Sequence, residues 1–137
     1  MERDHSGGPA LRVYLRSATE RPGADPLGAQ RDACEGFVRT ALETRAGVVL
    51  SWDGRREYGD AGTVGARGGT QPPALAQLVA DTQPGDVVVI QDLTRISRSW
   101  PDASATLRAL VGTRGARVYL AATGQEASTD MLEGWVS

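Results

Sequence analysis

The chain is 137 residues long, enough for one domain with a real core, and its 40% hydrophobic and 23% charged content is ordinary for a globular protein. A net charge of −2 and a pI near 5.4 argue against strong autonomous nucleic-acid binding, yet leave room for a local cluster of cations. One cysteine excludes an internal disulfide, one histidine excludes a His-based metal site or a Ser–His triad, and no apolar run approaches a membrane span.

Residues 1–10, MERDHSGGPA, lack the apolar segment of a secretory signal and read as a disordered tail. With the single cysteine they point to a cytoplasmic protein without membrane attachment. Residues 11–16 alternate in polarity and predict a first strand. Asp25 and Pro26 supply a cap and a first helical position, and Leu27, Cys34, Phe37 or Val38, Ala41 and Leu42 recur at helical spacing to about Arg45. Cys34 falls on the apolar side of that helix, as a small core residue. Val48 to Trp52 predicts a second strand, and the glycine-rich stretch 53–71 a long loop. Pro72 and Pro73 open a short helix carrying Leu75, Leu78 and Val79. Asp86 to Gln91 is a continuous apolar run, expected of a strand covered on both faces. A helix from Pro101 to about Gly115 and a strand over Arg117–Ala121 follow, and 123–137 carries no clear assignment.

Strands alternating with helices predict an α/β fold: a three-layer domain with a mainly parallel sheet of four to five strands and helices on both faces. In such sheets ligands bind beyond the carboxyl ends of the strands. Arg16 and Ser17 end the first strand, and Arg95 and Arg98 follow the third. Guanidiniums are fixed, always-charged forks suited to phosphate oxygens, so these strand ends are a candidate phosphate site. Read residue by residue, the same arginines also fit solvated or ion-paired surface groups, Asp60 a turn former, and Gln30 an inward polar contact. All fifteen basic residues are arginine, a bias that fits GC-rich codons.

The order of motifs resembles the catalytic domain of the serine recombinases, the resolvase/invertase family. Tyr14-Leu15-Arg16-Ser17-Ala18-Thr19 resembles the family's first strand, and Pro26-Leu27-Gly28-Ala29-Gln30-Arg31-Asp32-Ala33-Cys34 its first helix start. Tyr58-Gly59-Asp60-Ala61-Gly62 is similar to the loop Y-x-D-x-G. Pro73-Ala74-Leu75 resembles R-P-x-L, and Leu93-Thr94-Arg95-Ile96-Ser97-Arg98-Ser99 resembles L-D-R-L-S-R-S. The resemblance spans residues 11–124, with 125–137 as a C-terminal tail. It implies a resolvase-like fold, and chemistry in which a serine attacks a DNA phosphate while arginines stabilise the transition state, with no cofactor and no metal. Arg16, Arg95 and Arg98 are then phosphate-binding, and Tyr14, Gln30, Asp60 and Thr94 supporting.

The departures fall on the chemistry. Ala18 stands at the nucleophile position, Pro72 where the motif has arginine, and Thr94 where it has aspartate. Ser17 is one position early, which on a strand points it to the opposite face. Arg67 is a candidate replacement for the guanidinium lost at Pro72. The long helix and DNA-binding domain that the family carries after its fourth strand are not recognisable in 125–137, which predicts a monomer or a dimer unlike the family's. The leading expectation is a domain that has lost DNA cleavage and binds DNA, a DNA-bound protein or a phosphate-bearing ligand through its arginines. The alternatives are an active recombinase using Ser17, and a new enzyme or small-molecule binder on the same scaffold.

Overall fold

The computed structural model describes residues 10–17, 27–42, 50–61, 73–96 and 100–127. A five-stranded sheet in the order β2-β1-β3-β4-β5 is its centre. The strands are β1 (Leu11–Ser17), β2 (Arg56–Ala61), β3 (Val87–Ile90), β4 (Arg117–Leu120) and β5 (Gln125–Ala127). The first four are parallel, and β5 turns back antiparallel to β4. Three helices accompany them: α1 (Gly28–Phe37), α2 (Pro73–Asp81) and α3 (Trp100–Arg108). Single π-helical turns, Val38–Leu42 and Ala109–Thr113, prolong α1 and α3.

The two faces of the sheet separate the core into two apolar clusters. Leu11, Val13, Leu15, Val87, Val89 and Tyr119 pack with Cys34, Val38 and Leu42, under α1 and its extension. Tyr14, Tyr58, Val88, Ile90, Val118 and Leu120 pack with Leu75 and Leu78 of α2, and with Ala103 and Leu107 of α3. Alternate residues of one strand thus enter opposite layers, as the two-residue period of a strand requires. The central strand β3 has Val87 to Ile90 all buried, which is why its sequence is an uninterrupted apolar run.

Two sequence expectations are corrected. Of the strand expected over Val48–Trp52, Val48 and Val49 lie outside the described residues, Leu50 and Ser51 are not in a strand, and Trp52–Gly54 is a 3-10 turn, with Leu50 and Trp52 buried in the α1-side core. The strand is instead Arg56–Ala61, inside the stretch read as loop. Its sequence, REYGDA, conceals it. As the edge strand of the sheet it needs few apolar side chains, and Gly59 and Asp60 are poor strand formers. Gly59 has a packing reason to be glycine: a Cβ there would stand 3.0 Å from Leu27 Cδ1 at the start of α1. Residues 125–127, unassigned in sequence, form β5, reached through a turn in which Gly124 has φ +75°.

The amino ends of the strands are closed by a buried polar network. Asp86 accepts from Arg12 Nε at 2.9 Å and from the amides of Ala10 and Gln83, and Arg12 Nη1 donates to the Tyr58 hydroxyl at 2.8 Å. Tyr58 in turn donates to Asp81 at 2.9 Å. This end is satisfied internally, which leaves the carboxyl ends as the place to look for a ligand.

Candidate functional site

The chain leaves β1 toward β2 on one side, then crosses back to β3 on the other. The crevice between the carboxyl ends of β1 and β3 is therefore the topological switch point, where open α/β sheets bind ligands. β1 stays paired with β2 as far as Ser17 with Ala61, but its pairing with β3 ends at Tyr14 with Ile90. Past Ile90 the chain turns away into a 3-10 turn, Leu93–Arg95. The two strands part there, with Arg16 at the end of β1 and Arg95 in the turn that follows β3.

Arg16 is half-buried and held at both ends. Its guanidinium Nη1 donates to the Ile96 carbonyl at 2.9 Å, spanning the crevice. Its main chain is gripped by Gln30: the Arg16 amide donates to Gln30 Oε1 at 3.0 Å, and Gln30 Nε2 donates to the Arg16 carbonyl at 2.6 Å. On the far bank, Arg95 Nε donates to Gln91 Oε1 at 3.1 Å. Among the described residues neither guanidinium meets a carboxylate. Arg12, Arg31, Arg39, Arg55 and Arg117, by contrast, each form a salt bridge. Each crevice arginine thus keeps most of its five donors for something else.

Behind Arg16 lies a buried Tyr–Asp pair. Asp60 faces Arg16 in register on β2. It accepts from the Tyr14 hydroxyl at 2.8 Å and from the Ala74 and Leu75 amides at 3.0 and 3.1 Å, capping α2. Pro73, just ahead of those amides, has no N–H to satisfy. Burial raises the Tyr14 pKa far above that of free tyrosine, and the hydrogen bond to Asp60 and its charge add to the rise. The carboxylate of Asp60 is committed to three donors, which makes it a brace for the crevice wall.

The family model for the resolvase N-terminal domain matches residues 12–135. The chain belongs to the resolvase family. None of the curated proteins compared with it matches. Among solved structures it is similar to the N-terminal catalytic domain of TP901-1 integrase, at 20% identity and a TM-score of 0.61, over 93% of this chain and 88% of that one. It is also similar to a resolvase family site-specific recombinase from Streptococcus pneumoniae, at 18% identity and a TM-score of 0.64, over 93% of this chain and 85% of that one. These two likenesses concern the fold.

Within this resolvase-family domain, the sequence-predicted residues Tyr14, Arg16, Gln30, Asp60, Thr94 and Arg95 gather at the carboxyl end of the sheet. Ser17 is half-buried and ends β1. By strand alternation it shares the α1-side face of Val13 and Leu15, whereas Arg16 shares the face of Tyr14. Ala18, Arg67, Pro72 and Arg98 lie outside the described residues. Two contributors were not anticipated: Gln91, which holds Arg95, and Asp92, whose carboxylate accepts from both the amide and the hydroxyl of Thr94. The signal for Asp92 was present, since Asp-x-Thr ahead of a helical turn is a recurring side-chain cap. Among the described residues there is no cluster of metal-ligating side chains, and no helix is long and apolar enough to cross a membrane.

Proposed function

We propose that this resolvase-family domain binds a DNA phosphate between Arg16 and Arg95 and does not cleave the strand. The observation that carries the reading is the pair of guanidiniums, without a carboxylate partner among the described residues, on either side of the switch point. Two such forks suit the oxygens of one phosphate, and Arg98 adds a third in this reading. Cleavage needs a hydroxyl aimed at the phosphorus from the same side. The chain offers Ala18 at the nucleophile position, and alternation sends Ser17 to the α1 side. The domain then acts as a binding or regulatory partner on DNA, within residues 11–124.

The test uses supercoiled DNA and a fluorescent duplex. Incubation with the supercoiled substrate followed by denaturation leaves no covalent protein–DNA adduct. A phosphoserine linkage at Ser17 would overturn the inactive reading. Duplex binding weakens about tenfold or more in Arg16→Ala and Arg95→Ala, in line with the loss of a charge-assisted hydrogen bond of about 1.5–3 kcal/mol. Unchanged binding in both variants would remove the phosphate site.

A further inference from the structure

We infer that Gln30 is a positioning residue: its side-chain amide takes the place of a missing strand and fixes the Arg16 main chain, and thereby the reach of its guanidinium into the crevice. The inference rests on the phosphate-site reading above for its purpose, and on hydrogen bonding alone for its structural half.

A residue inside a sheet has its N–H and C=O bonded to neighbouring strands. Arg16 lies beyond the last β1–β3 pair, Tyr14 with Ile90, because β3 gives way to the turn that carries Arg95. Divergence of the two strands opens the crevice and deprives Arg16 of its partner strand. Gln30, 4% exposed, enters from the first turns of α1 and answers both groups, accepting from the amide and donating to the carbonyl. A primary amide is suited to this because it carries the C=O and N–H pair that a strand would present. Aspartate or glutamate lacks the donor, lysine the acceptor, and asparagine is one methylene shorter.

The support continues behind Gln30. Leu27, one turn earlier, closes on Gly59 of β2, so the start of α1 is seated on the strand ends. Cys34, one turn later, is fully buried in the α1-side core. Gln30 therefore projects from a packed helix, and what it holds is held rigidly. Arg16 is then fixed at its main chain by Gln30 and at its tip by the Ile96 carbonyl. Such two-point restraint lowers the entropy lost when the guanidinium engages an anion.

The experiment uses the full 15N-labelled chain, with inorganic phosphate as the probe. Gln30→Met keeps length and volume and removes both polar atoms. Gln30→Glu keeps the acceptor for the Arg16 amide, and serves if the methionine variant does not fold. In Gln30→Met the Arg16 amide exchanges with solvent about tenfold faster or more, the amides of Val13 and Val89 keep their protection, and the phosphate dissociation constant rises about five- to tenfold. In Gln30→Glu the Arg16 amide stays protected while phosphate affinity falls. Equal acceleration of all amides, or an unchanged Arg16 amide in Gln30→Met, overturns the positioning role. If wild type and Arg16→Ala bind phosphate alike, the phosphate-site reading fails, and the amide exchange still decides whether Gln30 holds Arg16.

Discussion

Replacing Asp60 tests whether the wall behind the crevice is built as described. Its carboxylate takes three donors, the Tyr14 hydroxyl and the amides of Ala74 and Leu75, and Asp60 is only 7% exposed. Asp60→Ala removes a helix cap, which costs about 0.5–2 kcal/mol. It also leaves the buried Tyr14 hydroxyl without its acceptor, about 1–3 kcal/mol more. The expected loss is about 3 kcal/mol, a large part of the ~5–15 kcal/mol that holds a typical domain together. Asp60→Asn retains one acceptor oxygen and turns an amide NH2 toward a donor, so about half of that loss is expected. Urea denaturation reads these values as shifts in midpoint at constant slope. A double-mutant cycle with Tyr14→Phe isolates the tyrosine share, expected at about 1 kcal/mol. If Asp60→Ala lies within about 0.5 kcal/mol of wild type, or if the cycle shows no coupling, the bracing argument is refuted.

Tyr14 gives the pair an alkaline signature. Its folded pKa lies above the unfolded value of about 10, because burial and the Asp60 carboxylate oppose the phenolate. The stability this contributes is complete below pH ~10 and is lost as pH rises beyond that toward the folded value. Urea midpoints should therefore fall between pH 9.5 and 11 (about the range a tyrosine spans), and Tyr14→Phe should shallow the fall, leaving the part due to Tyr58, whose pKa burial and Asp81 also raise. An identical slope in wild type and Tyr14→Phe would contradict this. Cys34 is fully buried, and burial, with the nearby Glu57 charge adding, pushes its thiol up to about 12. A disulfide-exchange reagent at pH 8 should label it only as fast as the domain unfolds; stoichiometric labelling within seconds would show the α1-side core to be open.

What could be read from the chain divides along physical lines. The strand at residues 86–91 was legible because a central strand of a parallel sheet is apolar on both faces, and the strand at 11–16 by its alternating polarity. The helix over α2 was legible because proline marks its start and Leu75 and Leu78 mark its inner face. β2 was not, because an edge strand needs little hydrophobicity and Asp60 is spent on a cap that only the tertiary structure reveals. At the site, the strand ends pointed to Arg16 and Arg95, and the family resemblance added Gln30 and Asp60. Neither could assign Gln30 to the Arg16 main chain, since a side chain replacing a strand leaves no periodic trace. Gln91 was read only as the end of a strand and Asp92 was given no role, although they orient Arg95 and Thr94.

The acidic composition looks at odds with an anion site until the arginines are sorted by partner. Arg12 is neutralised by Asp86 at the amino ends of the strands, and Arg31 and Arg55 share Glu57 on the sheet edge. Arg39 meets Glu35 and Asp53, and Arg117 meets Glu126. These cations contribute little field at a distance, because each carries its countercharge with it. Arg16 and Arg95 are bound instead to uncharged acceptors, a carbonyl and an amide. Dipoles orient a guanidinium without cancelling its charge, so these two arginines keep theirs where the strands diverge. A net charge of −2 then works for selectivity. On the proposed reading it weakens indiscriminate attraction to nucleic acid and leaves recognition to a phosphate held between Arg16 and Arg95. Added salt should accordingly weaken DNA binding with a shallow slope, set by the few phosphates in the crevice.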